Sequence, residues 1–594
     1  MRFKSAKHRG FQVFAVSGIN TISFAIQASE EAKKGLLGFA VERLDPKEKE
    51  RYFMPGFKVF PSVTPHPDAE TQVSTFEHPV QSLVWDDFTA KPGRRYEYFF
   101  YPLRGQPKNL DRTAKPIPIH VKTEPLFSKL PHDVFFNRGV ASSQAYSRKF
   151  QNLPPDQLEP PKDQEALDWL SRDLDDAILK FIGQAKKGDG LLGCFYEFRY
   201  APVALALKEA IDRGVDVRLI LDGKVNETTD KKGKVTPSFP REDNKKLVKD
   251  TGIPEDRIVW REARASNIQH NKFMVLEKGK ARKPTEVWTG STNLSLGGIH
   301  GQTNVGHWSR NADLATSFAT YWHLLSTDPG GKKGAPAADV RKDNAALLAA
   351  VEALGTVPGS IEEIPAGVTP VFSPRSQLVI LDTYFALVDT AGDLGCITLA
   401  FGINQAFKEK LLAHGATSPI TFLLLEKKDV PNPKSAEVFV AISAKNNAYQ
   451  AWGSFLKEPV YQWTKETNAG LLGLNQHVSY VHSKFLLRDP LGADPIVVTG
   501  SANFSDASTK SNDENMLIVR GDRRVADIYF TEFNRIFNHY YFRSVVEATS
   551  KGGHPSDDGN QFLKEKPEEW LVKYQPRKLR QKRVDLYVKM QGFE

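Results

Sequence analysis

HNKFMVLE (270–277) leading to VWTGSTN (287–293) is answered by HSKFLLRD (482–489) leading to VVTGSAN (497–503). Each copy is a His-x-Lys-Phe, an apolar run closed by a carboxylate, and a Gly-Ser-x-Asn turn. Histidine to asparagine spans 23 residues in the first copy and 21 in the second. Two copies of one basic, polar cluster at nearly one spacing predict a composite site assembled from two halves. On a strand, residues two apart share a face, so His270 and Lys272, or His482 and Lys484, point one way and Asn271 or Ser483 the other. The runs after Lys272 and Lys484 supply core, EVWTG and IVVTG read as the next strands, and Ser291, Asn293, Ser501 and Asn503 can reach back from the turns as hydrogen-bond donors.

The flanks of the two phrases also repeat. LLGCFYEFRY (191–200), APVALALKEAIDRG (201–214) and VDVRLILD (215–222) read as strand, glycine-ended helix and strand; GCITLAFGIN (395–404), QAFKEKLLAHG (405–415) and PITFLLLEKKD (419–429) read the same way. That order predicts a parallel sheet in each of two duplicated α/β lobes, packed as a pseudo-dimer over 165–335 and 336–550. Apolar Leu170, Leu174, Ile178 and Ile182 step by four along one predicted helix face. LPPDQLEPPKD (153–163) marks a linker within 126–164, and DPGGKKGAPAAD (328–339) a second one. Before residue 125, short alternating runs such as YEYFFYPL (96–103) and IPIHVK (117–122) predict a small all-β sandwich of immunoglobulin/fibronectin-like type.

The 594 residues carry a net charge of +9, a pI near 9.1, 40% hydrophobic and 25% charged residues, an ordinary globular composition biased toward polyanionic partners, nucleic acid or an anionic phospholipid surface. QPRKLRQKR (575–583) is the densest basic run and is expected in a solvated tail over 551–594. No signal-peptide pattern or membrane-length apolar run occurs, and two cysteines exclude a disulfide framework, so a cytoplasmic protein is expected. Cys194 and Cys396 read as core thiols.

Bringing the two phrases together places two imidazoles, two ammonium groups and two carboxamides in one cleft, which suits a phosphate diester. Lysines and asparagines clamp the non-bridging oxygens, one imidazole attacks phosphorus, and the other protonates the leaving oxygen and later activates water. No metal or other cofactor is expected, because the lysines supply the positive charge. A third His-x-Lys, His120-Val-Lys122, has no Gly-Ser-x-Asn downstream and reads as ordinary strand alternation.

These phrases resemble the HKD motifs, H-x-K-x4-D followed by G-S-x-N, of the phospholipase D superfamily, and the resemblance covers roughly 165–545, including FSP at 372–374. It implies His270 as nucleophile, His482 as general acid and base, and phosphate binding by Lys272, Lys484, Asn293 and Asn503. The acidic position is Glu277 in the first copy and Asp489 in the second. Fourteen residues beyond the Gly-Ser-x-Asn glycine stands Glu514 in copy two, resembling the carboxylate that fixes an imidazole tautomer in the family. Copy one has Asn304 there, an amide that orients an imidazole without stabilising its cation, so unequal roles are expected. His300 and His307 are expected as loop-surface residues, Asp222 and Gly223 as strand-end rim or cap, and Tyr196, Phe198 and Tyr200 as packing. A nuclease is the leading functional expectation, a phospholipase D acting on membrane phospholipids the second, and a catalytically silent binder the third.

Overall fold

The computed structural model describes all residues except 57, 68–70, 72, 140–145, 147–148, 152, 263–267, 333, 432–437, 454–479 and 551–561, so parts of the expected linker and tail lie outside the described residues. Each repeat forms a seven-stranded sheet. The first runs His132–Phe136, Val305–Ser309, Lys283–Gly290, Lys272–Lys278, Gly190–Phe195, Asp216–Asp222, Ile258–Arg261; the second runs Gly367–Ser373, Glu514–Arg520, Ile496–Gly500, Phe485–Arg488, Leu394–Leu399, Ile420–Leu425, Ala448–Trp452. The strand orders superpose element for element, as a duplication requires.

The sheets are mixed, which corrects the parallel expectation. The strand-helix-strand units do pair in parallel. The phrase strand and its Gly-Ser-x-Asn strand, however, are joined by a short turn and can only pair antiparallel. In both turns the glycine is required by closeness: a Cβ on Gly290 (φ +140) would stand 2.2 Å from the Val305 carbonyl, and one on Gly500 2.2 Å from that of Asn515.

Three further expectations change. His132–Phe136, inside the expected linker, is a sheet strand paired with Val305–Ser309. The single helix expected across Leu170 to Ile182 is two, Lys162–Ser171 and Leu174–Gly183, broken where Arg172 (φ 45) and Asp173 (φ 69) turn left-handed. At that break Arg172 reaches the Phe136 carbonyl at 3.2 Å and Glu532 at 2.6 Å, yet all four apolar positions stay fully buried. The described end of the chain is no solvated tail: Pro567–Leu571 and Leu579–Lys589 are helices that bury Trp570, Val584 and Tyr587, and Tyr574 between them is buried too. Lys582 donates to Asn447 and the Ala416 carbonyl, and Arg583 lies over Phe422, so these two residues of the basic run brace the second lobe.

The N-terminal region folds as two antiparallel sheets sharing a core with Phe24, Phe39, Tyr98 and Phe100. It is fastened to the long helix Arg523–Ser550 by Arg2, buried and ion-paired with Asp527 at 2.8 Å. Glu532 on the same helix accepts from Thr21, Arg172 and Arg535, joining the N-terminal region and both lobes; the two guanidiniums hold its carboxyl down at about 2 against the opposing effect of burial. Among the described residues no helix is long and apolar enough to cross a membrane.

Candidate active site

The two lobes meet along the ends of the phrase strands, where each His-x-Lys segment bridges to the opposite lobe. The His270 N–H donates to the Asp513 carbonyl at 3.0 Å, and the His482 N–H to that of Thr303 at 3.3 Å. The residue after each bridging carbonyl then receives the imidazole of the facing lobe. His270 Nδ1 lies 2.9 Å from Glu514 Oε2, and His482 Nδ1 lies 2.9 Å from Asn304 Oδ1. With Nδ1 committed as donor, each ring presents Nε2 to the cleft.

The Gly-Ser-x-Asn serines support this exchange. Ser291 donates to Asn304 Oδ1 at 2.9 Å, and Ser501 to Glu514 Oε2 at 2.9 Å. Glu514, fully buried, also accepts from Ser508 at 2.9 Å. The serines thus donate as expected, but to the groups that hold the histidines. Lys272 and Lys484, both buried, donate to the carbonyls of His270 and His482 at 2.7 and 2.5 Å. Asn293 and Asn503 each have a buried Oδ1 with no hydrogen-bond partner among the described residues.

Burial lowers the proton affinity of all four basic groups. Lys272 is brought down to about 8 and Lys484 falls well below the usual ammonium range, burial being the main cause and Lys272 the second. His270 is lowered by burial, with the Glu514 carboxylate pushing back; His482 is lowered much further, by burial and then by Lys484 and Lys272. An anion bound among these groups would restore the proton affinity that burial removes.

Not every expected residue reaches the site. Glu277 and Asp489 sit at the far ends of their strands, five residues and roughly 16 Å from the lysines. Asp489 instead accepts the N–H groups of Gly392, Asp393 and Leu394. His300 and His307 are fully buried, not loop-surface residues; His307 bonds His132 and the Tyr529 hydroxyl. Cys194 and Cys396 are buried free thiols at non-equivalent places: Cys194 pairs with Phe273, one residue past Lys272, whereas Cys396 pairs with Leu487, three past Lys484.

Other residues come closer than expected. Tyr196 sets its ring edge-on to His270, centroids 5.0 Å apart. Asp222 accepts the Gln269 N–H at 3.2 Å, just before His270, and burial pushes its carboxyl up to about 7. Its counterpart Glu426 accepts the Val481 N–H at 2.7 Å, just before His482. Sequence reading missed Glu197, buried and accepting from Asn293 Nδ2 at 2.7 Å, and Arg261, buried between Asp513 and Asp328. For Arg261 the available signal was a charged residue ending a strand, and for Glu197 a lone carboxylate within the apolar run 191–200.

A family model described as "Cardiolipin synthase, PLD-like domain" matches residues 178–324 and 433–537, one segment per lobe and each containing one phrase. The two lobes belong to the phospholipase D superfamily. This phospholipase D-like pair implies a phosphodiester substrate. No curated protein matches in sequence. Phosphatidylserine synthase of Haemophilus influenzae is similar at 12% identity and TM-score 0.39, over 71% of this chain and 94% of that one. Nuc of Salmonella typhimurium is similar at 22% identity and TM-score 0.19, over 25% and 84%. Polyphosphate kinase of Porphyromonas gingivalis is similar at 10% identity and TM-score 0.35; the match covers 59% of this phospholipase D-like chain and less than half, 46%, of the kinase.

Proposed function

We propose that the protein cleaves phosphodiesters, most readily those of nucleic acid, through a phosphohistidine on His270. The observation that carries this reading is the pair of imidazoles held at Nδ1 from opposite lobes across two buried ammonium groups. His270 Nε2 attacks phosphorus, and Glu514 stabilises the cation that forms on the ring. His482 gives its Nε2 proton to the departing oxygen, releasing an alcohol. It then takes a proton from water, which attacks phosphorus, frees His270 and leaves a phosphomonoester. Lys272, Lys484, Asn293 and Asn503 hold the non-bridging oxygens. The diester's own charge screens the two lysines that depress His482, so substrate binding favours the protonated acid.

Nucleic acid is favoured by the loop that follows cleft-side Asp222, where Lys231, Lys232 and Lys234 are exposed around the hairpin Thr228–Thr229/Val235–Thr236. Such a cluster suits a polyanion longer than its scissile bond. A lipid headgroup is the second reading, supported by exposed Phe401 (68%) and Val438 (83%) on the other lobe. The N-terminal sheets, read as immunoglobulin/fibronectin-like, brace this machinery.

The test is incubation with EDTA against single- and double-stranded DNA, RNA, and phosphatidylcholine or phosphatidylglycerol vesicles, with His482→Ala as control. Nucleic-acid cleavage without lipid turnover is expected; the reverse overturns the nuclease reading, and loss of activity in EDTA overturns the mechanism. The pH profile is a second check. His482 must be protonated, and its affinity lies well below the ordinary 6.5, so kcat/KM should peak on the acid side of 6.5 and fall as pH rises. Asn304→Asp gives His482 a carboxylate and should move the alkaline limb upward by about one unit or more. An unmoved limb would remove His482 as the titrating acid.

A further inference from the structure

Besides Glu514 against Asn304, the two halves of the cleft differ at a position just past the central strand of each sheet. In the first lobe Phe195 pairs with Lys272, so Glu197 lies two residues past the lysine's partner. In the second, Ile397 pairs with Leu486; continuing that antiparallel register puts Leu399 opposite Lys484, and the residue two further on is Phe401. A buried carboxylate in the first lobe thus has an exposed phenyl ring as its counterpart in the second.

Glu197 is tightly held. Its Oε1 takes the Asn293 amide at 2.7 Å, and its Oε2 takes Arg199 at 2.6 Å, while Arg199 also pairs with Asp243 at 3.2 Å. Its charge acts on both Lys272 and Lys484. A negative group in a cleft built to receive phosphate works against binding, and its retention in the interior calls for a role. Glu197 lays a fixed negative charge against the two lysines that clamp the phosphate, so every further charge a ligand carries meets that repulsion again. A phosphodiester brings one; a phosphomonoester or inorganic phosphate dianion brings two.

We propose that Glu197 is a specificity-determining and positioning residue. Its carboxylate holds the Asn293 amide in place and excludes doubly charged phosphates, so the cleft takes diesters and releases the monoester it makes. The inference rests on the phosphodiesterase reading of the same site.

The experiment compares wild type, Glu197→Gln and Glu197→Ala on bis(p-nitrophenyl) phosphate, with inorganic phosphate and dimethyl phosphate as competitive inhibitors. Glutamine keeps an acceptor for Asn293 and removes the charge. In Glu197→Gln, inhibition by inorganic phosphate should tighten about tenfold or more relative to inhibition by dimethyl phosphate, since one fewer charge repels the dianion at close range. Glu197→Ala should tighten phosphate likewise and in addition lower kcat on the diester, because Asn293 loses its anchor. Equal changes for the two inhibitors, or none, overturn the proposal, and circular dichroism checks that each variant folds. Failure of wild type to cleave the diester overturns the phosphodiesterase reading instead, so the two failures are distinguishable.

Discussion

His270→Ala is expected to lower kcat by roughly 10⁴-fold or more, while substrate affinity changes little. The loss is large because the covalent route closes entirely: Lys272, Lys484 and the asparagines still bind the diester, but no nucleophile stands in line with the leaving group. The informative companion is His482→Ala with bis(p-nitrophenyl) phosphate, whose leaving group departs without a proton. That variant should release about one equivalent of p-nitrophenol per protein and stop, because no base remains to activate water. Peptide mapping should find the phosphoryl group on His270. A label on His482 in His270→Ala, with none on His270 in His482→Ala, would reverse the two roles.

Glu514→Gln is expected to reduce kcat by roughly 10²-fold, the usual scale for a group that orients and charges a reacting imidazole. Glutamine preserves an acceptor for His270 Nδ1 at nearly unchanged geometry but removes the charge that stabilises the phosphoimidazolium. Glu514→Ala should be worse in a second way. It strands His270, Ser501 and Ser508, all bonded to that carboxylate in a fully buried place, and should cost about 2–5 kcal/mol of stability as well. Thermal unfolding separates the two: Glu514→Gln should melt within a few degrees of wild type, whereas equal destabilisation by both would make Glu514 a structural residue only. Asn304→Gln, by contrast, removes no charge, and its effect on kcat should be smaller than that of Glu514→Gln.

The duplication was legible because it is written in the order of chain elements: a phrase with fixed spacing, preceded by strand, helix and strand. The exchange of partners was not. Glu514 and Asn304 stand at matching offsets from their own glycines, and sequence shows them as belonging to their own phrases; only the docking of the lobes hands each to the other's histidine. Glu277 and Asp489 illustrate the converse. They are the most conspicuous acids of the phrases, yet strand rise alone carries them roughly 16 Å away from the lysines. The strand His132–Phe136 was hidden because a short apolar segment among prolines and charges carries no periodicity of its own, and its pairing partner lies about 170 residues downstream. The basic run at 575–583 was misleading for a different reason: charge marks a solvated face, but a guanidinium also settles over an aromatic ring, as that of Arg583 does over Phe422.

The reciprocal hold of each lobe on the other's histidine makes the chain an obligate couple. Any hinge-like parting of the lobes would withdraw Glu514 from His270 and Asn304 from His482 in one movement, together with the backbone bridges at Asp513 and Thr303. On the proposed mechanism activity would read out closure: a lobe made alone is expected to be inert though it keeps its histidine and lysine, and two separately made lobes should recover function only to the extent that they find each other. A weakened interface would silence the nucleophile and the acid together, without touching either.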